Sequence, residues 1–279
     1  MAYEYELIQV ELDAGVATAT IDNPPINLIT LQLFGELARL SQQIADDDAV
    51  RVLVMKSANP DFFLAHFDVS AIQQFPIEGE AKRSPENVYH QMCERYRTMG
   101  KLTIAQIEGR VGGGGSEIVS AFDMRFGVNE RTIVNQMEVA VGILPGGGGT
   151  QRLPRMLGRG RALEVILGCN DLDARTAERW GYLNRTFEPG EIEGFVSGLA
   201  RRIASFPPEA VRLAKASVDC AVMPLAEGLV EEAYHFERLL RTTDAQRAMQ
   251  RFLDVGGQTP EGERRVGEIA ALAANRRDT

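Results

Sequence analysis

The first part of the chain changes hydrophobic period twice, which predicts strands joined through a helix. The segments YELIQVEL (residues 5–12) and GVATATI (residues 15–21) alternate apolar and polar positions, as half-buried strands do. The letters DAG between them are a turn signal. We therefore predict a β-hairpin at the start of the chain.

A helix is predicted next, followed by another strand. Apolar residues recur at spacings of four and three on one helical face, namely Leu33, Leu37, Leu40 and Ile44. Three aspartates at residues 46–48 close this helix, and RVLVMKS (residues 51–57) has the pattern of a short buried strand. Strand, helix and strand in this order predict a βαβ crossover.

The same alternation continues to about residue 205. A helix carrying Val88, Met92 and Tyr96 precedes the apolar strand LTIAQIEG (residues 102–109), and a glycine run then leads into a helix at SEIVSAFDM (residues 116–124). Further short strands are predicted at MRFGV and YLNRTF. We predict an α/β body over residues 1–205.

Residues 206–279 are predicted to form a helical region. PPEAVRLAKASVDCA (residues 207–221) begins with prolines, which are common in the first turn of a helix. The next helix has an apolar stripe formed by Leu225, Leu229, Ala233, Phe236 and Leu240. Its glutamates lie outside the stripe, so this helix has one face that must be covered.

Composition narrows the functional classes. The chain of 279 residues is 44% hydrophobic and 25% charged, as expected for one large domain or one domain with an appendage. The net charge of −9 disfavours nucleic-acid binding but allows an anionic small molecule held by local cations and backbone N–H groups. The first long helix has Arg39 as its single cation.

Targeting and metal signals are also missing from the sequence. The acidic N-terminal segment does not have the pattern of a signal peptide, and no run of about 18 apolar residues could cross a membrane. Cys93, Cys169 and Cys220 are far apart and lack metal-ligand spacing. We expect a cytoplasmic protein with reduced cysteines, no membrane association and no metal site.

Two glycine runs are the strongest local signal for chemistry. They occur in VGGGGSE (residues 111–117) and ILPGGGGTQR (residues 143–152). A flexible linker is disfavoured for the first run, because an apolar strand precedes it and a helix follows it. Glycines at a strand-to-helix turn expose backbone N–H groups where the helix dipole is positive. This arrangement predicts a site for developing negative charge, an oxyanion hole.

One glutamate accompanies each glycine run. Glu117 falls in the first turn of the helix after the first run, and Glu138 lies in an apolar setting before the second run. Glu117 could simply complement the helix dipole, and Glu138 could be a solvated loop charge. If the two converge, burial and mutual repulsion would raise a pKa and suit them to acid–base catalysis. Their spacing leaves this open.

Four motifs together resemble those of the crotonase, or enoyl-CoA hydratase/isomerase, superfamily. NPPINLI (residues 23–29) is similar to N-P-x-x-N-A-L, and FFLAHFDV (residues 62–69) to F-x-A-G-x-D-[ILV]. The segment at residues 107–127 resembles N-G-x-x-x-G-G-G-x-E-L-x-x-x-C-D-x-x-x-A. MEVAVGILPGGGGTQRLPRMLG (residues 137–158) resembles P-E-x-x-x-G-x-x-P-G-x-G-G-T-Q-R-L-x-R-x-x-G and is the most specific match.

The resemblance implies a fold and a ligand. The fold would be α/β, a repeated ββα spiral core with a C-terminal helical region used to form a homotrimer or a dimer of trimers. The ligand would be an acyl-CoA thioester. No metal or redox cofactor is implied, since coenzyme A enters as part of the substrate.

The resemblance also assigns roles to residues. The backbone N–H groups of Phe67 and Gly114 would form the oxyanion hole. In a hydratase acting on a trans-2-enoyl-CoA, Glu117 would deprotonate the attacking water and Glu138 would deliver a proton to C2. The residues implied to contact the substrate and coenzyme A are Ala65, His66, Asp68, Val69, Gly113, Pro145 and Gly146.

Three departures from the motifs keep alternatives open. His66 and Gly112 replace a usual glycine and a usual apolar residue, and Phe67 replaces the alanine usual in hydratases. One alternative is a Δ3,Δ2-enoyl-CoA isomerase that uses Glu138 alone, or another acyl-CoA enzyme of the superfamily. Another is a catalytically weak acyl-CoA-binding protein whose site is closed by His66 and Phe67. A mobile loop is predicted at residues 75–87, and the cations for the CoA phosphates are undecided among Lys56, Lys82, Arg83 and the C-terminal arginines.

Overall fold

The computed structural model describes residues 2–75, 87–256, 258–268 and 272. The loop predicted at residues 75–87 therefore lies, apart from its two end residues, outside the described part of the chain. The same is true of Lys82 and Arg83.

The strands begin with the predicted hairpin. The described strands are β1 (Ile8–Asp13), β2 (Val16–Ile21), β3 (Val52–Ser57), β4 (Phe62–Leu64), β5 (Leu102–Ile107), β6 (Arg110–Gly112), β7 (Met124–Val128), β8 (Ile133–Asn135), β9 (Leu172–Asp173) and β10 (Arg185–Phe187). β1 and β2 pair antiparallel in register from Ile8 opposite Ile21 to Asp13 opposite Val16. The two linking residues, Ala14 and Gly15, have φ of 48° and 82°, as a tight hairpin turn requires.

The helices follow most of the predicted positions. The described helices are α1 (Leu31–Asp46), α2 (Val69–Ile72), α3 (Val88–Thr98), α4 (Gly113–Ser120), α5 (Gly149–Leu157), α6 (Arg159–Gly168), α7 (Ala174–Trp180), α8 (Ile192–Ala204), α9 (Pro208–Asp219), α10 (Leu225–Leu240), α11 (Thr243–Asp254) and α12 (Pro260–Glu263). Short 3-10 turns occur at Glu138–Val141 and Cys220–Val222. The predicted βαβ crossover is confirmed, since β2 and β3 pair in parallel on either side of α1.

From β3 to β8, consecutive strands alternate between two sheets. A six-stranded sheet has the order β1-β2-β3-β5-β7-β10, and a four-stranded sheet has the order β4-β6-β8-β9. The pairs β3–β4, β5–β6 and β7–β8 each place one strand in each sheet before the chain enters a helical segment. This repeated strand–strand–helix path confirms the predicted ββα spiral.

The core explains why α1 forms where it does. Thr30 caps its N-terminus by accepting a hydrogen bond from the Leu33 N–H at 3.2 Å. All four residues of the predicted apolar face are fully buried, namely Leu33, Leu37, Leu40 and Ile44. In α3 the buried face carries Met92 and Tyr96, whereas Val88 is 66% exposed and lies at the edge of a cavity.

A partly buried ion pair joins the C-terminal helices to the α/β body. Lys215 on α9 lies 2.8 Å from the Asp123 carboxylate and also donates to the Lys101 carbonyl oxygen at 2.9 Å. Asp123 accepts two further hydrogen bonds, from the backbone N–H and the hydroxyl of Thr103. No strand occurs in the described residues after β10, and the proposed division near residue 205 stays a prediction.

In the residues that the structure describes, no helix is both long and apolar enough to cross a membrane. The cytoplasmic location stays a prediction.

Candidate active site

The first glycine run forms the start of a helix instead of a turn in front of it. Gly112 is the last residue of β6, and α4 begins at Gly113 with φ of +46°. A Cβ on Gly113 would lie 3.0 Å from His66 Cβ, and one on Gly115 would lie 2.6 Å from Leu64 Cβ. The glycines are needed because the segment that follows β4 packs directly on the helix N-terminus.

Two backbone N–H groups meet at this contact. Phe67 forms a parallel bridge with Ile29, in which the Ile29 N–H donates to the His66 carbonyl oxygen and the Asp68 N–H donates to the Ile29 carbonyl oxygen. This pattern turns the Phe67 N–H to the other side of the strand. Gly114 is the second residue of α4, where an N–H has no partner within the helix. A Cβ on Gly114 would lie 3.5 Å from the Phe67 nitrogen, so the two residues are direct neighbours.

The N-P-x-x-N motif holds the Phe67 segment in place. The Asn27 side chain is fully buried and donates to the Ser57 hydroxyl at 2.7 Å. Its backbone carbonyl oxygen accepts the Ala65 N–H at 3.3 Å. These contacts hold the segment before α1 against the chain after β4. They thereby fix the position of Phe67 relative to Gly114.

Glu117 is held by the second glycine run. Its carboxylate is 4% exposed, and Oε1 accepts hydrogen bonds from the N–H groups of Gly147 and Gly149, each at 2.8 Å. Gly149 is the first residue of α5, so this oxygen lies at a helix N-terminus. Burial raises the pKa of Glu117 to about 7, and the Glu138 charge adds to this against the two N–H groups, which lower it.

Glu138 enters the same cavity from the other side. It begins the 3-10 turn and is 8% exposed, and its buried Oε2 has no hydrogen-bond partner among the described residues. Burial raises the pKa of Glu138, and the nearby His66 ring opposes this effect. Its Oε1 lies 3.1 Å from the position of a Cβ on Gly113. The two glutamates therefore converge, which their spacing in the sequence had left open.

A cavity of about 470 Å³ connects these groups. Its described walls contain both glutamates, Phe67 and Gly114, and otherwise are mostly aliphatic and aromatic side chains. No lysine or arginine lines it among the residues that the structure describes. A largely apolar cleft with a few convergent polar groups is the usual form of a small-molecule site.

The remaining predicted site residues divide into two sets. His66, Val69 and Gly146 line the cavity. Ala65, Asp68, Gly113 and Pro145 do not, and they form the supporting layer: Asp68, for example, caps α2 by accepting the Ser70 N–H at 2.9 Å. The roles of both sets in binding stay predictions.

Comparisons with known proteins agree with this geometry. The family model described as Enoyl-CoA hydratase/isomerase matches residues 11–259. The short-chain-enoyl-CoA hydratase of Clostridium acetobutylicum is 30% identical over 254 residues, which cover 90% of this chain and 96% of the relative. The crotonyl-CoA hydratase of Syntrophomonas wolfei is 29% identical over 252 residues, with the same coverage of 90% and 96%.

A solved structure has the same fold. The enoyl-CoA hydratase of Bacillus anthracis superposes with a TM-score of 0.82 at 28% sequence identity, covering 89% of this chain and 96% of that one.

This chain belongs to the enoyl-CoA hydratase/isomerase family. The predicted membership and fold are thereby confirmed, and the chain is a hydratase-like enzyme of that family.

Three residues that support the hydratase-like site were missed by the sequence analysis. Arg152 donates to the Gly147 carbonyl oxygen at 2.9 Å and pairs with Glu94 at 2.8 Å, which fixes the glycine run that holds Glu117. The Gln136 amide donates to the Gly113 carbonyl oxygen at 2.9 Å. Tyr89 donates its hydroxyl to the Gly114 carbonyl oxygen at 2.7 Å. Arg152 lies in the quoted T-Q-R motif, whereas no local pattern marks Tyr89.

The structure also shows where two side chains of undecided role lie, His66 and Lys56. His66 Nδ1 lies 2.9 Å from the Phe67 carbonyl oxygen. When Nδ1 carries the proton, it therefore donates a hydrogen bond to the backbone. Lys56 lies in a separate polar groove and pairs with Glu193 at 3.4 Å. Lys56 is therefore not placed at the cavity that contains the glutamates.

Proposed function

We propose that this enzyme adds water across the C2=C3 bond of a trans-2-enoyl-CoA, with Glu117 and Glu138 as its catalytic pair. The observation that carries the proposal is the meeting of two buried carboxylates with two backbone N–H groups in one cavity. The relatives named above are hydratases of enoyl-CoA thioesters, which supports the same substrate class for this chain.

The thioester carbonyl oxygen is proposed to accept hydrogen bonds from the N–H groups of Phe67 and Gly114. When water adds at C3, negative charge grows on this oxygen. Donors that are already oriented stabilise the charge without reorganisation, each by about 3 kcal/mol in the transition state. The first glycine run supports this role because Gly114 stands at the N-terminus of α4.

Glu117 is proposed to take the proton from the attacking water. Two N–H groups hold its Oε1, which orients the carboxylate and favours the ionised form that a base needs. With its pKa at about 7, a large share of Glu117 is ionised at neutral pH. Glu138 is proposed to deliver the proton to C2, because it lines the same cavity and its buried Oε2 has no hydrogen-bond partner among the described residues. General acid–base catalysis of this kind is typically worth about 10²–10⁴-fold.

The substrate is proposed to carry coenzyme A as a covalent part. The residues proposed to contact it are Ala65, His66, Asp68, Val69, Gly113, Pro145 and Gly146. Hydration is redox-neutral, so the proposed reaction requires no redox cofactor, and the two backbone N–H groups are proposed to polarise the carbonyl without a metal. Extended dialysis against a chelator should leave the turnover rate unchanged.

The C-terminal helical region is proposed to join three chains, or two sets of three. In the isolated chain the stripe on α10 is exposed, with Leu225 at 78% and Phe236 at 61%. Apolar residues arranged along one helix face are a common feature of subunit contacts.

The test is a turnover assay on a panel of trans-2-enoyl-CoAs in ¹⁸O-labelled water. Loss of the conjugated thioester absorbance with ¹⁸O in a 3-hydroxyacyl-CoA product is the expected result. Conversion of a 3-enoyl-CoA without incorporation of ¹⁸O would show an isomerase instead. Tight acyl-CoA binding without any turnover would show a binding protein. Glu164→Gln, at an exposed site on α6, is the matched control for the two catalytic glutamates.

A further inference from the structure

Four aromatic rings surround the proposed position of the acyl group. The Phe67 ring lies edge-on to Phe34, Phe75 and Tyr89, with ring centres 6.0, 6.0 and 6.1 Å apart. Phe34 and Tyr89 stack in parallel, with centres 5.5 Å apart. All four rings line the cavity, and Phe75 is 48% exposed, so apolar ring surface remains available to a ligand.

Phe67 places this ring cluster next to the reacting atoms. Phe67 also supplies the proposed N–H donor to the thioester carbonyl oxygen. The ring and the donor therefore belong to one residue. A substituent on C3, two carbons from that carbonyl, is therefore expected to lie near the Phe67 ring or the rings in contact with it. Three aliphatic residues of the same lining, Val141, Ile143 and Leu144, continue the apolar surface.

Several polar groups in the wall already have partners in the protein. The Tyr89 hydroxyl donates to Gly114, and the Asn87 side chain caps α3 by accepting the His90 N–H at 2.9 Å. His66 Nδ1 contacts the Phe67 carbonyl oxygen. The described wall contains no lysine or arginine and already carries the carboxyl groups of Glu117 and Glu138, so it disfavours a second carboxylate on the acyl group.

The cavity is larger than a short acyl group requires. If each heavy atom takes about the 30 Å³ of a water molecule in the liquid, a four-carbon enoyl group occupies roughly 150 Å³. A 3-phenylpropenoyl group would occupy roughly 300 Å³ on the same basis. A linear eight-carbon acyl group would occupy roughly 270 Å³ on the same basis. The cavity of about 470 Å³ therefore admits both of the larger groups, and the arrangement of the rings, not the volume, favours the aryl one.

On the basis of the enoyl-CoA chemistry proposed above, we propose that the substrate acyl group is uncharged and carries an aryl substituent at C3, with Phe67 as the specificity-determining residue. A flat ring can add a further edge-to-face contact to a cluster that is already arranged in this way. A linear chain gains burial but no such contact.

The first experiment measures binding of saturated analogues, which cannot be hydrated. Dissociation constants of butanoyl-, octanoyl- and 3-phenylpropanoyl-CoA are compared in the wild type, Phe67→Leu and Phe187→Leu. We expect 3-phenylpropanoyl-CoA to bind most tightly, by about tenfold over butanoyl-CoA. Phe67→Leu keeps the backbone N–H and should remove most of the aryl preference. Phe187→Leu removes a ring from the separate Phe126–Phe195 cluster and should leave all three constants unchanged.

The second experiment measures turnover in the dehydration direction, because conjugation with the ring favours the enoyl form of an aryl substrate. The substrates are 3-hydroxybutanoyl-, 3-hydroxyoctanoyl- and 3-hydroxy-3-phenylpropanoyl-CoA. We expect Phe67→Leu to lower kcat/KM for the phenyl substrate about tenfold more than for the octanoyl substrate. Thermal unfolding of both variants checks that each is folded.

The two proposals fail separately in these experiments. Tightest binding of butanoyl- or octanoyl-CoA, or an equal effect of Phe67→Leu on all ligands, would overturn the aryl assignment while hydration still stood. Aryl-selective binding without dehydration or hydration of any substrate would support the aryl assignment and overturn the proposed reaction.

Discussion

At the scale of single residues, each glycine run contacts the glutamate that stands beside the other run in the sequence. Glu117 follows the first run but accepts its hydrogen bonds from Gly147 and Gly149 of the second. Glu138 precedes the second run but lies against Gly113 of the first. Each carboxylate is therefore placed against the glycine run that is more distant from it in the sequence. Loss of either run would disturb both carboxylates.

The two carboxylates should respond differently to neutralisation. Glu138→Gln is expected to abolish both hydration and exchange of the C2 proton, because the proposed proton donor to C2 is removed. Glu117→Gln is expected to lose hydration by about 10²–10⁴-fold while retaining some conversion of a 3-enoyl-CoA, because Glu138 is still present. Hydration is followed by absorbance and C2 exchange by NMR in deuterated water. Full activity in both variants would contradict the assignment.

Tyr89 is expected to act as a positioning residue. Its hydroxyl holds the Gly114 carbonyl oxygen at 2.7 Å, and its ring packs so closely on Gly147 that a Cβ there would overlap the ring. One lost hydrogen bond of about 1 kcal/mol in Tyr89→Phe should lower kcat about five- to tenfold, with a smaller change in KM.

The matched control for Tyr89 is Tyr3→Phe, which removes a hydroxyl bonded to Asp47 outside the cavity. It should leave kcat unchanged. A Tyr89→Phe enzyme with normal kcat and a raised KM would mean that the hydroxyl contacts substrate instead of holding Gly114.

At the scale of secondary-structure elements, the N-termini of α4 and α5 lie against the segments that form the site. The N-terminus of α4 faces the segment after β4, and the N-terminus of α5 faces Glu117. Arg152 on α5 joins this second contact to Glu94 on α3. Three helices are therefore linked around the cavity through polar groups, while their apolar faces form the core.

The exposed stripe on α10 leads to a prediction about assembly. Leu229 lies in the middle of this stripe and is 52% exposed in the isolated chain. Leu229→Glu would place a charge in the proposed subunit contact, so the assembly should dissociate to a smaller mass in sedimentation velocity. Glu232→Gln, outside the stripe, should leave the mass unchanged. A wild-type chain that sediments as a monomer would contradict the proposed trimer.

At the scale of the whole molecule, the two buried glutamates of the cavity make stability depend on pH. The pKa of Glu117 lies at about 7 in the folded chain, above its ordinary value of 4.5. The folded state therefore binds more protons than the unfolded state between these values, and stability falls as pH rises from about 4.5 to 7. Glu138 acts in the same direction, since burial also raises its pKa.

Glu117→Gln should remove its part of this pH dependence. The difference in unfolding free energy between variant and wild type is expected to favour the variant more at pH 8 than at pH 5, by an amount on the order of 3 kcal/mol. Urea unfolding at both pH values and one protein concentration measures it, with Glu164→Gln as control. An unchanged difference at the two pH values would mean that Glu117 has an ordinary pKa.

Local pattern was sufficient for the elements and the family. The hairpin, the βαβ crossover and the buried face of α1 follow from hydrophobic periods that span a few residues, and the structure confirms them. The glycine motifs and their glutamates could also be recognised in the sequence, because the proposed chemistry requires those residue types at those spacings. The start of α4 was placed too late, because glycine favours a turn locally and only packing against Leu64 and His66 explains its use inside the helix.

The tertiary structure decided which of these residues meet. Glu117 and Glu138 converge, Gly147 and Gly149 bind Glu117, and three rings pack around Phe67. Each of these contacts joins separate elements. A sequence pattern reports how one segment is oriented toward a core, but it does not report which distant segment lies opposite. That choice depends on how both sheets and their helices pack together, and at this site it determined both the pKa of Glu117 and the shape offered to the acyl group.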